Sequence, residues 1–250
     1  MVAKSPLMRP ADIAEALALL SRLPVPAHTP RGQAAAWAWP VAGLVVALIA
    51  GGLAAAALGL GVPPGLAAGL VLAAQVALTG GLHEDGLADS ADGFWGGSTT
   101  ARRLDIMKDS RIGSYGVIAL VLGLGLRWAA LSALIAEGQL FAPLIAAAVL
   151  SRAAMTVLMA ALPNVRDDGL AAKVGRPAQT TALLAVATAL VLGLSAVGWG
   201  LLGPLFWLAL ATIGFAAVAR AKIGGQTGDV LGAAQQIAEI AALIAFACLI

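Results

Sequence analysis

The sequence predicts an all-α, polytopic membrane helical bundle of about seven transmembrane helices with a cytoplasmic N-terminus, and three observations carry that prediction. The first is composition. Of 250 residues, 60% are hydrophobic and 11% charged, and the mean hydropathy is +0.93. A soluble domain carries about a quarter charged residues, so most of this outer surface must meet lipid. The second is segmentation into apolar windows near 34–60, 64–82, 113–136, 141–162, 179–198, 202–219 and 232–250. Each is long enough to cross a hydrocarbon core of roughly 30 Å as a helix, and none alternates as a β-barrel strand would. The third is charge placement. Apart from Arg127 and Arg152, every Lys and Arg lies before the first window or in one of three connections. Those are Lys4, Arg9, Arg22 and Arg31; Arg102, Arg103, Lys108 and Arg111; Arg166, Lys173 and Arg176; and Arg220 and Lys222. Connections 61–63, 137–140 and 199–201 carry none, so charged and uncharged connections alternate. The positive-inside rule then puts the N-terminus and the three charged connections in the cytoplasm and Ile250 outside.

The elements follow in chain order. Ahead of the first window, Ile13, Leu17 and Leu20 recur at i, i+4 and i+7, opposite Asp12, Glu15 and Arg22. That is the pattern of a short helix lying on the cytoplasmic surface. The same acids interrupt any apolar leader, so no cleavable signal is expected. Within the windows, Gly51-Gly52, Gly123, Gly125 and the alanines at 146–148 are the small residues that let membrane helices approach closely. No repeat and no long connection divides the chain, which reads as a single membrane domain over 1–250. Net charge is only +2, which gives no footprint for nucleic acid.

The densest polar stretch begins where the second window ends: His83, Glu84, Asp85, Asp89, Ser90 and Asp92, between Gly80-Gly81 and Gly93. On a helix Asp85, Asp89 and Asp92 stand at i, i+4 and i+7, within an arc of about 60°. Like charges so stacked destabilise a helix, and a bound hard divalent cation, Mg²⁺ or Mn²⁺, explains the arrangement. The bland alternative is a solvated acidic cap. Zinc would want another His or a Cys nearby; His28 and Cys248 are distant in sequence, so His83 reads as a hydrogen-bonding partner. Next come Arg102, Arg103, Lys108, Asp109, Ser110 and Arg111. Four cations in ten residues suit a phosphate-rich substrate, although any cytoplasmic loop carries some for topology.

Arg127 and Arg152 fall inside windows, where each needs a partner or a watery cavity. Arg152 is expected to line a cavity open to the cytoplasm, with a structural role the competing reading for both. The last polar set is Gly224-Gly225-Gln226-Thr227-Gly228-Asp229, a glycine-rich turn entering a helix, where backbone N–H groups can meet phosphate. Asp229 is a candidate further ligand, and Gln235 and Glu239, at i and i+4, are expected to face the bundle interior. Together these residues describe a phosphotransferase at the membrane surface, with a carboxylate metal site and phosphate-binding cations.

The block Gly-Gly-Leu-His-Glu-Asp-Gly-Leu-Ala-Asp-Ser-Ala-Asp-Gly (80–93), followed by Arg-Arg-Leu-Asp-Ile-Met-Lys-Asp-Ser-Arg-Ile-Gly-Ser-Tyr-Gly (102–116), closely resembles the cobalamin synthase family. This is the adenosylcobinamide-GDP ribazoletransferase family, also called cobalamin 5′-phosphate synthase. The stretches 20–26 and 225–232 fit it too, so the likeness runs nearly end to end; 163–178 is less distinctive. The resemblance implies transfer of the adenosylcobinamide phosphate moiety of adenosylcobinamide-GDP to α-ribazole or its 5′-phosphate, releasing GMP, late in cobalamin biosynthesis. It implies Mg²⁺ held by Asp85, Asp89 and Asp92 with Glu84 in support, one of these carboxylates (Asp92 the first choice) accepting the attacking proton. Substrate would be bound by His83, Arg102, Arg103, Lys108, Asp109, Ser110, Arg111, Arg152, Gln226 and Asp229. The expected setting is the bacterial inner membrane with the site facing the cytoplasm; the partners are the two substrates and the bilayer, with self-association left open.

The motif is also similar to the metal site of the CDP-alcohol phosphotransferases, which make phospholipid. That pattern wants Arg after the Ala of Asp-Gly-x-x-Ala, and here Asp89 stands there. A divalent cation transporter is the non-enzymatic alternative. Transporter sites lie near the midplane between repeated halves, whereas these carboxylates lie at one edge.

Overall fold

The computed structural model describes residues 7–249; Lys4 and Ile250 lie outside them. Every element named among the described residues is helical. A short helix α1 (Ala11–Leu20) is followed by a 3-10 segment (Gly32–Ala38) that runs into α2 (Trp39–Gly59). Then come α3 (Pro64–Thr79), α4 (Leu82–Gly96), α5 (Thr100–Ile106), α6 (Ser114–Ala136) and α7 (Phe141–Ala161). The chain closes with α8 (Gly169–Val174), α9 (Gln179–Val197), α10 (Leu202–Ile223) and α11 (Gly228–Ala247). The seven apolar windows thus coincide with α2, α3, α6, α7, α9, α10 and α11.

Among the described residues, five helical stretches are long and apolar enough to cross a membrane, or six if α3 and α4 count as one broken span. One stretch, Gln179–Ile223, has 45 residues, far more than a crossing of roughly 20 requires. It folds back at Gly198–Leu201, where Gly198 takes a positive φ of 57°. Val186 and Ala189 on α9 then line one cavity with Ile213 and Ala209 on α10, so the two arms flank the same space.

α7 and α11 form the centre of the bundle, buried along most of their length. Their alanines let α2, α6, α9 and α10 close around them, since small side chains bring helix axes near. The outer faces of α6, α9 and α10 expose Val121, Leu122, Leu183, Val191, Phe206 and Ile213, as lipid-facing surfaces should.

The three cationic connections meet at one end of the bundle. Arg103 donates to the carbonyl of Lys222 (2.9 Å), Arg166 to the carbonyl of Leu104 (3.1 Å), and Lys108 pairs with Asp168 (2.8 Å). The N-terminal segment joins the same end, because Arg22 N donates to Leu78 O.

Helix α1 forms where the periodicity places it, but its orientation corrects the surface-helix expectation. Asp12, assigned to the solvent face, is fully buried. It accepts from Trp37 Nε1 (2.7 Å) and Arg31 Nη1 (2.7 Å), while Glu15 accepts from the backbone of Arg31 and Gly32 (2.7 Å each). Asp12 therefore docks inward with Ala16 and Leu20, which are buried as well. Charge-assisted bonds to donors near residue 31 outcompete hydration, a pairing that local periodicity cannot display.

Inside the bundle a polar network links five helices, α3, α4, α6, α7 and α11. Arg127 on α6 donates to Glu84 (2.9 Å), Gln236 (2.8 Å), Gln75 (2.7 Å) and Glu239 (2.9 Å). Arg152 on α7 donates to the other oxygen of Glu239 (2.6 Å), which Gln235 also reaches. Two arginines balance two glutamates, which is how charge is tolerated within a membrane. The cavity role expected for Arg152 is corrected: it is buried and spent on Glu239, Ser151 and the Ala148 carbonyl. Gln235 and Glu239 do face the interior, as their spacing implies.

Candidate active site

The site is built on an abrupt turn. Helix α3 ends at Gly80-Gly81, both with positive φ (67° and 70°), a conformation that side-chain-bearing residues rarely adopt. α4 leaves that turn at 88° to α3, so it does not continue the line of α3 through the bundle. α4 then packs on the start of α11 at a contact only glycine permits. A Cβ on Gly86 would stand 2.6 Å from the Asp229 carbonyl oxygen, and one on Gly232 would stand 3.2 Å from the Leu82 carbonyl. This close approach sets Asp85 and Asp89 of α4 beside Asp229 of α11.

The carboxylates predicted to act together divide among different duties. Asp85 is exposed and stands on the wall shared by two cavities. Asp89 is half-buried; burial, then the charges of Asp85 and Asp229, push its carboxyl up to about 7. Glu84 turns inward, one oxygen bonded to Arg127 and Gln236 and the other buried without a partner. Asp92 is buried, its two oxygens accepting from Gly113 N (2.7 Å) and Gly116 N (2.8 Å). It therefore caps the N-terminus of α6, where unpaired N–H groups favour an anion. Among the described residues no three His, Cys, Asp or Glu side chains converge tightly enough to cage an ion by themselves.

One of the two cavities is open, with a volume of about 650 Å³, and is lined by Arg22, Asp85, Asp89, Lys108, Ser110 and Arg111 among others. Asp109 lies on it too, its carboxyl held below the usual range by hydrogen bonds from Arg111. The other, about 130 Å³, lies between α1, α4, α7, α8 and α11, with Trp39, His83, Met155, Met159, Arg166 and Asp229 in its walls.

Of the cations, Lys108 and Arg111 line the open cavity, although each also has an acidic partner, Asp168 and Asp109. Lys108 holds the Asp168 carboxyl down. Arg102 is exposed and Arg103 is turned onto α10; neither lines a cavity described above. Gln226 is buried and its backbone pairs with Pro163 and Val165, so it pins the 163–178 connection, while Thr227 caps α11. His83 is 1% exposed and its Nε2 has no hydrogen-bond partner in the protein.

Sequence reasoning missed three contributors. Arg22 lies against Gly80 and lines the open cavity. Arg166 bonds Asp229 at 2.6 Å, and α8 closes the smaller cavity. The only local signals were an arginine near the chain start and a charged triplet, Arg166-Asp167-Asp168, in a segment that looked undistinctive.

Residues 12–247 match the family model described as cobalamin-5-phosphate synthase. A protein of Mesorhizobium japonicum named adenosylcobinamide-GDP ribazoletransferase is 47% identical over 237 residues, covering 93% of this chain and 91% of that relative. Relatives of the same name from Bradyrhizobium diazoefficiens and Brucella canis are 44% and 43% identical, covering 94% and 93% of this chain and 92% and 95% of their own lengths. No solved structure matches the chain.

Proposed function

The chain belongs to the cobalamin-5-phosphate synthase family, and on that premise we propose how it works as an adenosylcobinamide-GDP ribazoletransferase acting late in cobalamin synthesis. The donor diphosphate lies over Asp85 and Asp89. The ribose hydroxyl of α-ribazole, or of its 5′-phosphate, attacks the phosphorus nearer cobinamide. The new O–P bond joins acceptor to corrinoid, the bridging P–O bond breaks, and GMP leaves with the electron pair.

The single observation that carries this reading is the place of Asp85, on the wall between a polar cavity and a smaller one, with Asp89 and Asp229 beside it. Three neighbouring carboxylates, one pushed up to about 7 by burial and by the charges of the other two, are a donor set suited to a hard cation. Mg²⁺ typically takes one or two carboxylates and fills its remaining positions with water and substrate phosphate. Asp85 and Asp89 would hold it, and when bound it would offset charge on the diphosphate and the departing GMP. Asp229, oriented by Arg166, is then the carboxylate left to take the acceptor proton. Asp92, the first choice by spacing, is committed to capping α6, and Glu84 to holding α4 onto Arg127. Lys108, Ser110 and Arg111 bind diphosphate oxygens from the mouth of the open cavity, where guanidinium and ammonium groups match phosphate.

We further propose seven crossings, with the site on the cytoplasmic face of the inner membrane. Support comes from the meeting of the three cationic connections and the N-terminal segment at one end of the bundle, combined with the positive-inside rule.

The test is full-length protein in lipid nanodiscs with Mg²⁺, adenosylcobinamide-GDP and α-ribazole. GMP should appear in step with the joined corrinoid product. No GMP, or GMP without that product, would remove the assignment.

A further inference from the structure

We propose that the smaller cavity beside Asp85 seats the flat benzimidazole base of the acceptor nucleoside, so that acceptor and donor reach Asp85 from opposite sides. This deepens the reaction proposed above and rests on it.

Size is the first argument. At about 130 Å³ the cavity holds roughly ten times the space one water needs, enough for a bicyclic ring but far too little for a corrin. The open cavity, about 650 Å³, is the one with room for a nucleoside diphosphate.

Lining is the second argument. One end is apolar: Leu20 of α1, Trp39 at the start of α2, Met155 and Met159 of α7, and Ala171 of α8. An indole and two thioethers are suitable neighbours for an aromatic ring, through offset stacking and sulfur–ring contacts. Guanine, the donor's base, carries polar groups around its edge that such walls would leave unpaired. A dimethylated benzimidazole has apolar edges except at its ring nitrogens. His83 lines the same space, with a buried Nε2 that has no partner within the protein.

Polarity is the third argument. The charged members of the wall, Asp85, Arg166, Asp168 and Asp229, belong to the side where α4 meets α11 and the 163–178 connection. A nucleoside with its base in the apolar end presents its ribose to that side. The attacking hydroxyl is then delivered to Asp229 and to the phosphorus above Asp85. α8, with Gly169, Leu170, Ala171 and Val174 on the cavity, becomes the acceptor-selecting wall.

The test uses the intact protein in nanodiscs, with free 5,6-dimethylbenzimidazole as inhibitor of GMP release. Competition against α-ribazole with no competition against adenosylcobinamide-GDP is the result expected. Ala171→Leu adds bulk from a short helix outside the spanning segments. It should raise the KM for α-ribazole at least about tenfold, in line with what a few methylenes do in a pocket, and shift the donor's KM by less than about twofold. Equilibrium dialysis of labelled α-ribazole reads the cavity even without turnover, and Ala171→Leu should weaken that binding while donor binding persists. Inhibition that competes with the donor, absence of competition against the acceptor, or equal α-ribazole binding by both proteins would each overturn the proposal. Wild-type protein that binds α-ribazole in an Ala171-dependent way yet releases no GMP would instead refute the reaction and leave the cavity assignment standing.

Discussion

Gly86→Ala tests how closely the chemistry depends on the α4–α11 contact. The added Cβ would stand 2.6 Å from the Asp229 carbonyl oxygen, where ordinary contact begins near 3.4 Å. Backbone lies on both sides, so no flexible side chain can yield, and the helices must separate by roughly 0.8 Å, the difference between those distances. Overpacking of this kind costs about 1–3 kcal/mol. The network from Glu84 to Arg127 and Gln236 should keep the fold intact. The catalytic cost is larger, because separation moves Asp85 and Asp89 away from Asp229, and a misplacement of about 1 Å can lose about 100-fold. We therefore expect kcat/KM for GMP release to fall roughly 10- to 100-fold in protein that extracts and elutes normally. Gly52→Ala and Gly69→Ala, whose added Cβ atoms would meet nothing within 4 Å, should retain activity. A Gly86→Ala protein with the parent's rate and thermal stability would refute the reasoning that this contact sets the site.

Three further outcomes follow from the same geometry. Asp89 is raised from 3.8 to about 7, so its protonated form favours the folded state; that stability is fully present below about 4 and is lost as pH rises through about 7. Metal-free protein should accordingly show a falling Tm between about pH 4 and 7, with added Mg²⁺ restoring more as pH rises; thermal scans at paired pH values check this, and Asp89→Asn should flatten both trends. Arg127→Met leaves Glu84 buried without a charge partner and Glu239 with Arg152 alone, and breaking such a pair costs about 3–5 kcal/mol; yield of folded protein should drop sharply, as read by detergent extraction and size exclusion, whereas Arg102→Gln should extract like the parent. Arg111→Gln should insert normally and lose roughly tenfold in kcat/KM, measured on one preparation for both properties, since it removes a guanidinium from the diphosphate cavity.

Much of this arrangement is legible in the sequence because it is local. The apolar windows coincide with helices since hydrophobic length is itself the requirement for crossing lipid. The helical spacing of Asp85 and Asp89, and the glycines that turn the chain before them, likewise mark where the proposed site begins. The remainder depends on distant pairing. Asp92 shares the face of Asp85 and Asp89, yet it is claimed by the N–H groups of Gly113 and Gly116 more than twenty residues later. Glu84 belongs to the same short motif but is drawn inward by Arg127, 43 residues away. Asp12 looks like solvent-facing charge until Arg31 and Trp37 fold onto it. Arg166 becomes informative only when Asp229, 63 residues on, is seen beside it. In each case the competing partner lies outside any window over which periodicity can be read.

The central claim is that Asp85 and Asp89 together form the metal-dependent centre at which the diphosphate is cleaved. The most direct measurement titrates Mg²⁺ against GMP release for the parent, Asp85→Asn and Asp89→Asn on matched, correctly inserted preparations. Saturable Mg²⁺ dependence is expected in the parent, with chelation abolishing turnover and added Mg²⁺ restoring it. Both variants should lose at least about 100-fold in kcat/KM and need far higher Mg²⁺ for what remains. Either variant releasing GMP at the parent's rate with the parent's Mg²⁺ dependence would contradict that claim.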